Sequence, residues 1–271
     1  MGILAICALF SMTACKKEKA KTDDPVVYPP QNNYQTVKQL DVTTHGNFLT
    51  HYTFNYGEQR IQSINNAAPP GYSMKMDYSG TRLSGISVYN VNQIYMGALS
   101  VFYNPGGFMS RVKYIGNEHP WYEIRFTYAG NDRLQSAEID QYDLNTSQVT
   151  PSATMRFHYD AAGNISSTII KNVDAPVYTD SVVYTYNTTP NRFRLDIPCI
   201  ALIANILEDR GMDLPFIVSG LKYMSPNYAL SETHYTNFPN PENVNFSIIT
   251  AVNNQLMYMD GSNGTRIMPV Y

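Results

Sequence analysis

The sequence predicts an all-β protein, mainly antiparallel: a long curved meander of β-hairpin repeats with one helix in the C-terminal half packed on the sheet. Three observations lead there. Tyrosine, 22 of 271 residues, recurs inside a short motif at a near-constant interval. Apolar and polar residues alternate on both sides of that motif, the period of a strand. One stretch near residue 200 changes to helical spacing.

The chain opens with an apolar run, ILAICALFSMTA at 3–14, followed by Cys15 and the charged stretch KKEKAKTDDP. The run has signal-peptide length and is shorter than the roughly 20 apolar residues a helix needs to cross a bilayer. Small residues before a Cys, then an abrupt polar switch, match the pattern of a lipid-modified N-terminus. We therefore expect a lipoprotein signal peptide at 1–14, lipid attachment at Cys15 and a flexible tether over 15–36. No Lys or Arg precedes the run, a departure from the usual positive n-region that leaves room for a start upstream of Met1. With Cys7 removed and Cys15 lipidated, Cys199 stands alone, so no intramolecular disulfide is expected in the mature chain. Cys199 lies in the apolar run CIALIANIL and reads as a small buried hydrophobe.

Residues 37–271 read as a single β-repeat domain, with hairpin repeats over 48–196. FNYGEQRIQSI (54–64), MDYSGTRLSGI (76–86), FTYAGNDRLQSA (126–137) and FHYDAAGNISST (157–168) align, and 101–112 and 184–195 are looser copies. The motif tyrosines are Tyr56, Tyr78, Tyr103, Tyr128, Tyr159 and Tyr186, spaced by 22, 25, 25, 31 and 27 residues. A period of that size marks a repeated supersecondary unit. Each unit reads as a hairpin: apolar-x-Tyr on the outgoing strand, a turn rich in Gly, Asn, Asp and Pro, then an aliphatic/small pair on the return. Alternation places Ile61 with Ser63, Leu83 with Gly85, Leu134 with Ser136 and Ile165 with Ser167 on one face. The small member is expected to make room for a stacked Tyr ring.

The motif, most clearly FHYDAAGNI, resembles the YD-repeat (Rhs-type) pattern. It also resembles Bacteroidota cell-envelope lipoproteins of unknown function with degenerate YD-like hairpins. The resemblance implies an antiparallel β fold and supplies no catalytic residue.

Beyond the repeats, apolar positions 200, 202, 203, 206 and 207 predict a helix over 199–210, with Pro198 before it and Gly211 after it. C-terminal strands follow over 228–271, separated by NN and GSNG turns.

Composition narrows the function. A net charge of −3 argues against a nucleic-acid partner. No HExxH, GxSxG, Walker loop or GxGxxG occurs, and the five His residues (45, 51, 119, 158 and 234) lack metal-ligand spacing, so no cofactor or metal is expected. The single Trp121, beside Tyr122 at a loop–strand junction, is the candidate ligand-binding aromatic pair, with a core Trp as the plainer reading. A transmembrane β-barrel is disfavoured because the strands read as short and broken by polar residues. The expected role is a non-catalytic binding or scaffolding protein of the bacterial cell envelope, anchored by lipid to the outer membrane. Its partners would be the membrane and a glycan or another envelope protein. The alternative is a polysaccharide-acting hydrolase using carboxylates assembled by the fold, Glu138 and Asp140 being one pair at i, i+2.

Overall fold

The computed structural model describes residues 37–191, 193 and 224–271, apart from short connections at 45–47, 58–59, 67–70, 117–120, 131–132, 144–145, 147, 174–178 and 236–240. The signal, the tether and the expected helix at 199–210 lie outside the described residues.

The described residues form sixteen strands. The first eight are β1 (Gln39–Thr44), β2 (Phe48–Gly57), β3 (Arg60–Asn66), β4 (Tyr72–Ser79), β5 (Arg82–Asn90), β6 (Tyr95–Tyr103), β7 (Met109–Gly116) and β8 (Trp121–Tyr128). The second eight are β9 (Leu134–Asp143), β10 (Gln148–Tyr159), β11 (Ile165–Asn172), β12 (Thr179–Pro190), β13 (Asn227–Tyr235), β14 (Glu242–Thr250), β15 (Leu256–Gly261) and β16 (Arg266–Val270). Each pairs antiparallel with its neighbours in the chain, and β1 pairs with β16, Gln39 opposite Val270 through Thr43 opposite Arg266. The sheet is thus a closed barrel. This corrects the expected open meander carrying a helix: no helix lies on the sheet among the described residues, and the sheet has no free edge. The seam joins strands more than 200 residues apart, a pairing that local periodicity does not encode.

Most strands bury an apolar face, while β12 and β14 bury only Tyr184 and Val244. Leu40, Ile61, Met74, Ile86, Leu99, Val112, Ile124, Ile139 and Met155 are each almost fully buried. They lie in register across neighbouring strands: Met74 sits opposite Ile64, Ile86 opposite Leu99, and Val112 opposite Ile124, which faces Ile139 in turn. Their burial places these side chains on the inward face of the barrel. Each contributes roughly 1.5–3 kcal/mol by leaving water.

The repeat has a bulge at its centre. In β3 the pairing shifts between Asn55 opposite Ser63 and Tyr56 opposite Ile61, leaving Gln62 as the extra residue. The same shift recurs at Tyr78, Tyr103, Tyr128 and Tyr159. A bulge lets two residues oppose one and breaks the alternation. The buried positions therefore run i, i+3: Ile61 and Ile64, Leu83 and Ile86, Met109 and Val112, Leu134 and Ala137. The expected aliphatic/small pair does not share a face, because the bulge intervenes.

The small residue is not what receives the Tyr ring. Each motif Tyr reaches back to the preceding hairpin and donates its hydroxyl to the carbonyl of the aliphatic residue there. Tyr78 bonds Ile61 O (2.7 Å), Tyr103 bonds Leu83 O (3.0 Å), Tyr128 bonds Met109 O (2.8 Å), Tyr159 bonds Leu134 O (2.9 Å) and Tyr186 bonds Ile165 O (2.7 Å). Tyr56 does the same to Val37 O, and Tyr271 to Leu256 O. The residue before the aliphatic covers the arriving ring: the guanidinium carbons of Arg60, Arg82 and Arg133 stand 5.3–5.4 Å from the centroids of Tyr78, Tyr103 and Tyr159. Phe108 takes that position against Tyr128, at 5.2 Å. The Tyr period is therefore a chain of links from hairpin to hairpin at one end of the barrel.

The turns at that end close as the sequence implies. Asp160 N donates to Asn164 O and Gly163 N to Asp160 O, with Gly163 at φ 86°. Only Gly adopts that conformation freely. The Asp160 carboxylate accepts from Asn164 N and Nδ2. Burial alone would raise its pKa, but these bonds, with backbone donors at Ala162 and Gly163, hold it below the usual range. The long connection between β12 and β13 leaves from this end too. Ser225 Oγ accepts from Ile165 N and donates to the Tyr186 hydroxyl, and Asn191 Nδ2 donates to Ser225 O, pinning both ends of the connection to the β10–β11 turn.

Candidate binding surface

The outward face mixes charged and polar side chains with exposed apolar ones such as Phe102, Ile115, Val183 and Leu230. On β7, β8 and β9 it forms a charge ladder, because Arg111 sits opposite Arg125 and Lys113 opposite Glu123, while Arg125 faces Glu138 and Glu123 faces Asp140. Arg125 is the hub: Nη1 lies 2.5 Å from Asp140 and Nη2 3.2 Å from Glu138. Burial would lower the Arg125 pKa, but the two carboxylates raise it overall. Lys113 Nζ is 3.0 Å from Glu123.

These contacts decide what Glu138 and Asp140 can do. A glycosidase pair needs one protonated acid and one free carboxylate on either side of a substrate. Here both carboxylates contact one guanidinium on the same strand face, so they do not flank a gap that a substrate could enter. The neighbouring depression, of about 560 Å³, is shallow and open; it is lined by Phe102, Ser110, Arg111, Arg125, Thr127 and Glu138, among others. Among the described residues no group of His, Cys, Asp and Glu could hold a metal ion.

Trp121 and Tyr122 part company. Strand alternation sends Tyr122 into the barrel, where it is buried, and leaves Trp121 outward and partly exposed at the rim opposite the tyrosine links. The indole lies parallel to the Tyr142 ring, centroids 6.2 Å apart at 11°, and its Nε1 donates to Gly116 O. The Trp121–Tyr142 stack across β8 and β9 was legible only once their register was known. Cys15 lies outside the described residues. No described helix is long and apolar enough to cross a membrane.

No known family model matches the sequence, and no curated protein is detectably similar to it. Solved structures do share the architecture. The crystal structure of a porin-like protein from Bacteroides vulgatus ATCC 8482 aligns at TM-score 0.56 and 12 % identity, over 88 % of this chain and 99 % of that one. A porin-like protein from Bacteroides uniformis ATCC 8492 aligns at TM-score 0.54 and 8 % identity, over the same shares. At such identities the likeness establishes the closed-barrel fold.

Proposed function

We propose that the chain is a lipid-tethered protein of the bacterial cell envelope whose closed barrel acts as a binding or scaffolding body. The observation that carries this reading is the partition of its two faces. A barrel that crosses a membrane turns an apolar band of about 25 Å to the lipid and keeps a polar lumen when it conducts. This barrel has the reverse arrangement, with Met, Ile and aromatic side chains packed inside and ionised residues outside. Apolar side chains inside and charges outside favour a body bathed in water over a conducting lumen. The likeness to porin-like proteins of Bacteroides supports an envelope setting, and the Cys15 pattern supports attachment by lipid. A glycan or another envelope protein fits the partly exposed Trp121–Tyr142 stack, since flat aromatic faces recognise both.

The test is membrane fractionation of wild type and Cys15→Ala, with each purified protein also added to planar bilayers. We expect wild type in the membrane fraction, the variant in the soluble fraction and no conductance from either. A Cys15→Ala protein that resists alkaline extraction and opens conducting steps would sink the proposal in favour of a transmembrane pore.

A further inference from the structure

The repeat supplies its own internal comparison, and one unit departs from it. At the bulge, the extra residue is Gln62, Ser84, Ser110, Gln135 and Ser166 in successive hairpins, all polar. In the β14–β15 hairpin, whose pairing shifts in the same way between Ile249 and Thr250, that residue is Met257, 54 % exposed. The turn differs as well. Ala251–Asn254 closes like Asn104–Gly107 and Asp160–Gly163, but its second residue is Val252, fully exposed, where the others carry Pro105 and Ala161. Ile249 and Val270, the residues before Thr250 and Tyr271 at the Tyr positions of β14 and β16, are exposed too, at 39 % and 46 %. Together they form an apolar corner at the end of the barrel that holds the tyrosine links. Lys38, exposed, pairs with Val270 at this corner through its backbone.

The corner also sits where the chain enters the barrel. Lys38 N donates to Val270 O at 2.7 Å, so the residues before 37 join the fold at this patch. Between Cys15 and Val37 the tether can extend to about 75 Å, long enough not to force any contact and short enough to hold the barrel at high local concentration near its anchor. Exposed Val, Ile and Met beside a basic residue suit the boundary of headgroups and acyl chains.

We propose that this corner, Ile249, Val252, Met257 and Val270, seats on the bilayer that holds the lipid anchor, so that the barrel stands with its linked end down. The proposal rests on the Cys15 reading. It deepens that reading by giving the barrel an orientation, with the opposite rim and its Trp121–Tyr142 stack presented away from the membrane.

The experiment uses the full-length lipidated protein in vesicles of phosphatidylethanolamine and phosphatidylglycerol with brominated acyl chains. Trp121→Phe removes the native indole, and either Val252→Trp or, at the opposite end, Val91→Trp supplies a new one. Both sites are exposed turns, and circular dichroism checks that each variant keeps the fold. We expect the Val252→Trp emission to shift blue and to be quenched by the brominated lipid, with Val91→Trp unaffected. Unquenched Val252→Trp, in protein that still floats with vesicles in a Cys15-dependent manner, overturns the seating and leaves the anchor standing. A blue shift without vesicles, accompanied by dimer in sedimentation, overturns it in favour of self-association. If Cys15→Ala floats as well as wild type, the anchor reading fails and the orientation fails with it.

Discussion

Replacing Tyr159 with Phe removes one link between hairpins and nothing else. The ring remains packed against the core and under Arg133, whose guanidinium carbon lies 5.3 Å from its centroid. What disappears is the 2.9 Å bond from the hydroxyl to Leu134 O. A bond of this kind stabilises by about 0.5–1.5 kcal/mol net, and a central loss of about 1 kcal/mol lowers the melting point by about 2–4 °C in a domain of this size. Tyr159→Ala also removes the ring and should cost about 3–5 kcal/mol. Arg133→Gln, which removes only the cation over the ring, should cost about 0.5–1 kcal/mol. Urea unfolding followed by near-ultraviolet circular dichroism measures all three. Because the hydroxyl and the guanidinium act on different neighbours, Tyr159→Phe and Arg133→Gln should add to within about 0.5 kcal/mol. A Tyr159→Phe protein as stable as wild type would refute the idea that hydroxyl-to-carbonyl links hold successive hairpins together.

Two further predictions follow from the same interior. Burial raises the pKa of Tyr159, Tyr186 and Tyr271 above that of a free phenol; their contribution is present in full below about pH 10, where the unfolded side chains ionise, and is lost as pH rises towards the folded values. The urea midpoint should therefore fall above that pH, in step with tyrosinate absorbance, and fall less steeply in Tyr186→Phe. Gly97→Ala should destabilise by about 1–3 kcal/mol, because the new Cβ would stand 2.8 Å from Ile115 O and 3.1 Å from the Tyr114 hydroxyl; an unchanged thermal melt would show that β6 and β7 do not approach as closely as described.

The hairpins were legible because their signals are local. A Tyr followed by Asp160-Ala161-Ala162-Gly163 states a turn and its chemistry within a few residues, and the structure places the Asp160 carboxylate on the Asn164 amides as an Asx-type cap. The bulge was not legible, since Ile61-x-Ser63 obeys strand alternation and only the partner strand shows that Gln62 is the extra residue. The seventh hairpin was read as strands about the NN turn but not as a unit of the repeat, because Thr250 replaces the Tyr that would have marked it, although Leu256 still accepts a link from Tyr271. Closure escaped for a different reason. Whether a meander stays open depends on strand number and curvature summed around the whole sheet, and no short segment carries that sum. At the candidate surface, Glu138 and Asp140 were visible as acids, but Arg125 as their shared partner required the β8–β9 register.

The seam between β1 and β16 sets the order in which this protein can fold. Every other pairing joins successive strands, so most of the sheet can zip up hairpin by hairpin with little loop entropy to overcome. The last step must bring together strands at opposite ends of the chain, one of them only five residues long. Until it does, a nearly complete sheet carries two open edges and an uncovered apolar face, the form most prone to join another chain. Closure thus depends on β16, the shortest strand among the described residues. A circular permutant that links residue 37 to 271 and opens at the β5–β6 turn would turn the slow closure into a local one and move the vulnerable edges elsewhere.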